Sequence, residues 1–344
     1  MSYLDRLKEI KQNNIAPVYL LYGNETYLME DVLQKLITQV LAPEEQDMKL
    51  LKFDMTEESI DTAVEEAYTF PFMGGKKVVV VKDAYFLTAQ KRKEKVEHDI
   101  TKLNEYALRA PEETVFIILA PYEKLDERKK VVKQLRKQAA VLDAKPLNEK
   151  ELRKWLEEKA SELNTAIDSA AVEKLLSLVG DNLLMLTSEM NKLATHSEDG
   201  VIRAEAVETL VSRSLEHDIF SLVDHVVKSD IENAMRIYRD LIKQKEAPLK
   251  ILALMVRQFR ILYQVKQLVQ QGYGEKMIAS RLKLHPFAVK LAAKQSRQFE
   301  AATLLSLLDD LAELDFRIKT GKIEEELGVE LFLLSRSKPS IQFS

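Results

Sequence analysis

The sequence predicts an α/β N-terminal module with a mostly parallel sheet, followed by two all-α domains. In the first part of the chain, short and uniformly apolar runs alternate with amphipathic stretches of helical spacing, a pattern typical of strands and crossover helices. After Pro146 the strand patterns stop and only helical spacing continues. A length of 344 residues, 46% hydrophobic content and only 9 Gly and 9 Pro favour two or three helix-rich domains over a disordered chain.

Residues 1–144 form the predicted α/β module. Its first strand, residues 18–22, ends at Gly23 and precedes a helix over residues 26–41. A second helix is predicted over residues 57–68, begun by acidic residues that suit the positive end of its dipole. The remaining strands are predicted over residues 49–53, 78–81, 115–119 and 141–144. Strands that are apolar throughout are buried on both faces, which requires helical crossovers and a parallel sheet.

The helical part divides into two predicted domains and a tail. Asn148 with Glu151 three residues later is a capping pattern that begins the first helix, and Gly180 ends a second helix. A polar stretch over residues 195–200 closes this small bundle, and a longer helical array begins near Leu215. The predicted boundaries are residues 145–212 for the first helical domain, 213–337 for the second and 338–344 for a frayed tail.

Composition excludes several classes of protein. The net charge of −4 gives no signal, over the chain as a whole, for binding nucleic acid or a membrane surface. The absence of Cys excludes disulfides and thiolate chemistry, and no two of the five His have the spacing that places two metal ligands on one helical face. There is no uninterrupted apolar run of about 18 residues. We therefore expect a cytoplasmic protein that binds no metal and no cofactor.

The turn after the first predicted strand stands where a phosphate-binding loop would stand. Such a loop needs a second Gly, a Lys for the phosphates and a Ser or Thr for Mg²⁺. Residues 23–28 read GNETYL, with no second Gly, no Lys before Lys35 and an acidic Glu25 that would repel a triphosphate. Asp83, after the third strand, is a single carboxylate beside Lys82 and is expected to cap the next turn rather than bind metal. The sequence predicts a turn that binds no nucleotide and a chain without catalytic residues.

An apolar cluster and two glycines follow the second predicted helix. The cluster consists of Phe70, Pro71, Phe72 and Met73. Pro71 cannot continue a helix interior, so the cluster is a turn or the start of a new helix. It is either a loop that buries Phe70 or Phe72 in the core, or a surface anchor for a partner. Apolar side chains contribute about 1.5 to 3 kcal/mol each on burial, so two or three of them on an exposed tip could hold a partner.

A basic segment occupies residues 247–299. It contains ten Lys or Arg and one acid, Glu275, which gives the segment a charge of +9 in a chain of net −4. At about 100° per residue, Lys250, Arg257 and Arg260 lie on one helical face. Residues 277–289 also have the spacing of a helix-turn-helix. The segment therefore has three interpretations: a DNA-reading helix pair, a subunit interface or a solvated basic face.

Several short motifs occur together in one order along the chain. In this order and spacing they resemble the clamp loader delta family of bacterial DNA polymerase III, over about residues 17–335. The motifs are residues 17–25 (PVYLLYGNE), 70–72 (FPF) ahead of 77–81 (KVVVV), 180–183 (GDNL) ahead of 189–193 (EMNKL), 257–260 (RQFR), 285–287 (HPF) and 315–321 (DFRIKTG).

The resemblance implies an AAA+-like module with a degenerate nucleotide site, a helical lid domain and a helical collar that joins a ring of five subunits. The implied partners are the delta-prime subunit, the tau or gamma ATPase subunits, the beta sliding clamp and primer-template DNA, with no membrane. Members of the family open the clamp for loading onto primed DNA during replication. They do so without hydrolysing ATP, as accessory subunits of a DNA-directed DNA polymerase holoenzyme.

The resemblance also gives the apolar cluster a role. In the family, residues at the position of Phe72 and its apolar neighbours, here Pro71 and Met73, insert into a hydrophobic pocket on the clamp. We expect Phe70, in the same cluster, to bind the clamp with them. Two other functions stay open on the sequence alone. An active AAA+ ATPase would share the architecture but needs the missing Lys and paired acids, and a helix-turn-helix regulator would explain residues 277–289.

Overall fold

The computed structural model describes residues 3–71, 74–90, 96–197, 199–211 and 214–336. The chain forms two units, Met1–Pro146 and Leu147–Ser344. The first unit holds a parallel sheet, and the second is built almost entirely from helices. Across these ranges no helix is both long enough and apolar enough to span a bilayer.

The first unit is the α/β module that the sequence predicts. Its strands are β1 (Val18–Gly23), β2 (Leu50–Asp54), β3 (Lys77–Lys82), β4 (Thr114–Ala120) and β5 (Ala140–Ala144). Its helices are α1 (Tyr3–Lys11), α2 (Thr26–Val40), α3 (Pro43–Lys49), α4 (Ile60–Tyr68), α5 (Ile100–Tyr106) and α6 (Lys130–Gln138).

The five strands form one parallel sheet in the order β2-β3-β4-β1-β5. In the register, Val18 of β1 lies opposite Phe116 of β4, and Tyr19 of β1 lies opposite Ala140 of β5. Every residue of β1 and β4 is buried, which explains why both runs are apolar throughout. Because β1 pairs with β4 and β5, neither of which is the next strand in the chain, its carboxyl end stands at the switch point where open α/β sheets bind ligands.

Helix α4 begins three residues later than the acidic residues predict, at Ile60 instead of residue 57. Ser59 is its N-cap, and the Ser59 hydroxyl accepts a hydrogen bond from the Thr62 amide at 3.3 Å. The Ile60 amide donates to His98 Nδ1 at 3.1 Å. A capping oxygen accepts a hydrogen bond from a free amide of the first turn, whereas nearby carboxylates interact only with the helix dipole. The position of the cap therefore decides where the helix begins.

The second unit contains eleven helices and two short strands among its described residues. They are α7 (Glu149–Glu162), β6 (Ala166–Ile167), α8 (Ser169–Val179), α9 (Leu183–Thr195), β7 (Val201–Ile202), α10 (Ala204–Leu210), α11 (Leu215–Val227), α12 (Ile231–Lys243), α13 (Pro248–Gln270), α14 (Glu275–Leu282), α15 (Pro286–Ser296), α16 (Ala301–Lys319) and α17 (Glu325–Leu334).

The expectation that no strand follows residue 144 is wrong. β6 and β7 form a two-stranded parallel pair, with Ala166 opposite Val201 and Ile167 opposite Ile202. Each strand has only two residues, which is too short for an apolar run or an alternation to be recognised in the sequence.

The predicted helix boundaries in this region are confirmed. Asn148 is the N-cap of α7, and its side-chain oxygen accepts from the Glu151 amide while the Glu151 carboxylate accepts from the Asn148 amide. Gly180 ends α8 at a φ of +83°, a backbone conformation that residues with a side chain rarely adopt. The array of longer helices begins at Leu215, as predicted.

Helix α13 is the centre of the second unit. Its 23 residues pack against α11, α15 and α16. The buried side of the helix includes Ile251, Met255, Phe259 and Leu262, all fully enclosed in the core of this unit. The opposite side of the helix faces solvent and carries the basic residues predicted as an interface.

Candidate functional site

The apolar loop, residues 70–76, connects α4 to β3. Its first residue, Phe70, is 84% exposed, and Pro71 is partly exposed. The Gly74 amide donates to the Pro71 carbonyl at 3.1 Å, and Gly74 and Gly75 both have left-handed backbones with φ near +75°. Phe70 is therefore a surface residue, so the interpretation that it fills the core is wrong. The other two predicted clamp-binding residues, Phe72 and Met73, lie outside the described residues.

The base of the apolar loop is held by a residue that the sequence analysis missed. Lys77 is the first residue of β3 and is only 3% exposed. Its ammonium group donates to the backbone oxygens of Glu66 and Thr69 and, at 2.7 Å, to the Thr69 hydroxyl. The sequence contains a signal for this role, since Lys77 comes directly before four consecutive valines of a buried strand. A lysine in such a place is rarely buried without partners.

The turn between β1 and α2 is fixed against the end of β5. Gly23 has a φ of +138°, and a Cβ at this position would lie 2.2 Å from the Ala144 carbonyl oxygen. The Glu25 amide donates to the same oxygen at 3.0 Å. Helix α2 starts directly afterwards, at Thr26, and its N-cap residue makes no side-chain capping bond. The turn is short because the backbone of β5 occupies the space beside it.

Tyrosine and charged side chains lie at the carboxyl ends of β1 and β5. The Arg136 guanidinium stacks over the Tyr22 ring at 4.8 Å and pairs with Glu127, with Arg136 Nη2 2.6 Å from Glu127 Oε1. Lys145 pairs with Asp143 beside them. Burial raises the pKa of Tyr22. These side chains bind one another at the edge of the sheet where a nucleotide site would be expected.

Asp83, the carboxylate after β3, does not cap the next turn as expected. The Tyr122 hydroxyl donates to Asp83 Oδ1, and Asp83 has a left-handed backbone with a φ of +53°. The following 3-10 turn begins after Ala84, whose amide donates to the Leu119 carbonyl at 3.0 Å. The Asp83 carboxylate is thus bonded to a tyrosine that follows the neighbouring strand, 39 residues away in sequence. Within the described ranges, no three His, Asp or Glu side chains are grouped so as to hold a metal ion.

The basic face of α13 is exposed, as its spacing predicts. Lys250, Arg257, Arg260 and Gln264 are all exposed. Lys250 pairs with Glu246 at 2.7 Å, whereas the structure gives no ion pair for the two arginines among the residues it describes. Arg257 also lines a cleft of about 460 Å³ in the second unit. The two arginines are therefore the members of this face that are available to bind an acidic partner.

The helix-turn-helix spacing corresponds to a real helix pair, α14 and α15. Lys283 supplies the left-handed residue of the turn, with a φ of +54°. The His285 side chain stands at the start of α15, with Nδ1 3.2 Å from the Phe287 amide nitrogen. The two helices and the turn between them thus have the form that the spacing predicts. A DNA-reading function further requires that the start of α15 be accessible to DNA.

The start of α15 is covered by groups from residues 147–181 of the same unit. His285 Nε2 lies 2.6 Å from the Leu147 carbonyl oxygen, and His285 Nδ1 lies 2.8 Å from Asp181 Oδ2. Burial is the largest influence on the pKa of Asp181 and would raise it, but the hydrogen bond and charge of His285, together with the Asp181 backbone amide, lower that pKa below its usual value. Lys290 pairs with Glu149 at 2.7 Å. A recognition helix presents its first turns to base edges, and here carboxylates lie against them, which argues against a DNA-reading helix.

Comparisons with known proteins agree over nearly the whole chain. Models of the DNA polymerase III delta subunit match residues 19–145 and, for the C-terminal domain, residues 216–336, and a middle-domain model matches residues 148–209. The chain is 43% identical to DNA polymerase III subunit delta of Bacillus subtilis over 335 residues, covering 97% of this chain and 96% of that protein. It is 26% identical to the probable DNA polymerase III subunit delta of Aquifex aeolicus, covering 74% of this chain and 72% of that protein. The structure is similar to that of the Bacillus subtilis DNA clamp loader delta protein, with a TM-score of 0.77 at 43% identity, covering 97% of this chain and 99% of that chain.

Proposed function

The chain belongs to the DNA polymerase III delta subunit family, and on that basis we propose that it binds the beta sliding clamp through the apolar loop and opens the ring without hydrolysing ATP. The observation that carries the proposal is the 84% exposure of Phe70 at the start of this loop. A large aromatic side chain that is almost fully exposed in a loop with two glycines is typical of a binding anchor. Its apolar surface stays in water in the folded chain, so burying it against a partner contributes hydrophobic free energy to binding.

The apolar loop opens the ring by binding one state of it better than the other. A closed clamp must lose or strain one of its subunit interfaces before DNA can enter. A binder shifts the equilibrium between closed and open rings only by its differential affinity for the two states. Aromatic side chains that fit a pocket beside an open interface provide that difference. In this scheme ATP acts on the neighbouring subunits and controls when the loop is presented.

The second unit then provides the contacts to the rest of the loader. We assign residues 1–144 to the AAA+-like module, 145–212 to the lid and 213–337 to the collar, a division supported by the separate family matches on either side of residues 148–209. The proposed partners in the ring are delta-prime and the tau or gamma ATPases. As an accessory subunit, the chain carries no catalytic group of its own.

Release of the clamp from circular DNA tests the proposed function directly. Beta clamp loaded on nicked circular DNA is mixed with the purified chain in the absence of nucleotide, and the clamp that remains on DNA is followed by gel filtration. We expect the chain alone to speed release by at least about tenfold, because differential affinity for the open ring needs no ATP. Tight binding to the clamp without faster release would limit the function to clamp binding.

We also expect the isolated chain to show no saturable binding of ATP and Mg²⁺ and no hydrolysis. The reason is that the β1–α2 turn exposes no phosphate-binding lysine and Asp83 is bonded to Tyr122. Isothermal titration calorimetry measures this, with an active tau or gamma ATPase subunit as the positive control. Micromolar binding that is lost on substitution of Glu25 or Thr26 would contradict the prediction.

Reversal of the basic face of α13 should impair the loader without unfolding the chain. Arg257→Glu with Arg260→Glu introduces repulsion at exposed positions, so we expect weaker assembly with the other subunits or weaker DNA stimulation, and an unchanged melting temperature. The matched control is Lys294→Glu with Arg297→Glu, which changes the same charge at exposed positions on and just after α15. Normal assembly and normal clamp loading by the α13 variant would make this face ordinary solvated surface.

A further inference from the structure

One buried side chain closes the apolar loop at its base. Thr69 is the last residue before the loop and Lys77 is the first residue after it, so the bonds from the Lys77 ammonium to Thr69 join the two ends of a seven-residue segment. The same ammonium reaches the Glu66 carbonyl one turn earlier in α4. Phe70 therefore projects into solvent directly after Thr69, a residue that is bonded to Lys77 at the other end of the same loop.

The oxygen atoms around Lys77 match what a buried ammonium group requires. An ammonium has three N–H donors, and three oxygens receive them here: the Glu66 and Thr69 carbonyls and the Thr69 hydroxyl. Carbonyls at the end of α4 are also at the negative end of the helix dipole, which favours a cation. Burial lowers the pKa of Lys77, and the Glu66 carboxylate opposes that shift. Lys77, the first residue of the next strand, thus provides the cation that binds the carboxyl end of α4.

From this geometry we infer that Lys77 is a positioning residue for clamp binding, which it serves by fixing where Phe70 projects. The inference rests on the proposed function of the apolar loop. Lys77 is buried, so it acts through the Thr69 backbone and not by touching the clamp. A loop whose ends are fastened has less conformational entropy to lose when it binds, and its anchor is already directed outward. A solely structural lysine would instead change the stability of the first unit and leave clamp affinity unaffected at temperatures where the protein is folded.

Three variants separate the positioning role from a structural one. Lys77→Met keeps most of the length of the side chain but has no donors, Lys77→Arg restores charge and donors, and Lys82→Met removes a charge at the other end of the same strand. We expect Lys77→Met to raise the dissociation constant for immobilised beta clamp about tenfold, and the other two variants to stay within about threefold of the natural protein. Hydrogen exchange should become faster for the amides of residues 69–76 in Lys77→Met alone, with β3 and β4 protected as before.

A double-mutant cycle with Phe70→Ala is the decisive measurement. If Lys77 acts by placing Phe70, the double variant binds the clamp no more than about twofold worse than the weaker of the two single variants. Multiplied effects would overturn the inference, and so would unchanged affinity and unchanged exchange in Lys77→Met. A loss of affinity that accompanies a large fall in melting temperature and that Lys77→Arg does not rescue would also overturn it.

Failure of the proposed function would be recognised separately. If neither Phe70→Ala nor Phe72→Ala changes clamp binding by the intact chain, the loop is not the clamp anchor, whatever Lys77 does. The exchange measurement needs no clamp, so it still decides whether Lys77 orders residues 69–76. Faster exchange confined to this segment supports the ordering by Lys77, and unchanged exchange excludes it.

Discussion

Phe72→Ala is expected to raise the dissociation constant of the clamp complex by about 30- to 1000-fold, which corresponds to about 2 to 4 kcal/mol. An aromatic anchor at the centre of an interface loses both its apolar burial and the pocket that it fills when it is truncated. The described part of the same loop supports this placement, because Phe70 is 84% exposed. The fold should be retained, since an exposed loop contributes little to the core.

Surface plasmon resonance against immobilised clamp, together with thermal melting, measures both consequences of Phe72→Ala. Phe316→Ala is a matched control, because Phe316 on α16 is also an exposed phenylalanine, at 52%, but lies in the second unit. The control should bind the clamp normally. Unchanged affinity in Phe72→Ala, or a loss seen only with a large fall in melting temperature, would identify Phe72 as a core residue.

Gly23→Ala should destabilise the first unit by more than about 3 kcal/mol, at the upper end of the effects of single substitutions. Two independent causes act at this position. A φ of +138° is strained for any residue with a side chain, and the new Cβ would lie 2.2 Å from the carbonyl oxygen of Ala144. The clash is with backbone of β5, which cannot rotate away as a side chain could. Relief requires the turn or the strand to move.

Gly180→Ala provides the control for this prediction. Gly180 also has a positive φ, +83°, but no atom lies within 4 Å of the position that a Cβ would occupy. The substitution therefore carries only the backbone cost of about 1 to 3 kcal/mol. Urea denaturation followed by circular dichroism compares the two variants. Equal losses of stability would mean that contact with Ala144 adds nothing to the cost at Gly23.

The sheet was predictable from the sequence because it is buried on both faces. β1 and β4 are enclosed along their whole length, so their residues are apolar without interruption and the runs are easy to recognise. Helix α3, Pro43–Lys49, was missed because its sequence, PEEQDMK, contains no apolar periodicity. Proline at its start and two acids in its first turn were the signals of a helix.

The candidate site was predictable where it depends on residue type and not where it depends on distant contacts. A cluster of large apolar residues beside two glycines is visible in the sequence, and so is the missing phosphate-binding lysine. The bond from Tyr122 to Asp83 joins residues 39 positions apart, and the bonds from Lys77 reach back 8 and 11 positions to the end of a helix. Partners of this kind are determined by the tertiary fold, which no local pattern encodes.

The early start of α2 leaves no room for a phosphate loop after β1. A phosphate loop beginning at Gly23 would place its second glycine at position 28 and its lysine at position 29. Those positions are Leu28 and Met29, which lie within α2 with exposures of only 1% and 3%. Each substitution toward the loop would first remove apolar packing or bury a charge, at a cost of about 2 to 5 kcal/mol, before any nucleotide could compensate. A phosphate loop could therefore enter this turn only together with repacking of α2, so its appearance through single substitutions would be costly at every step.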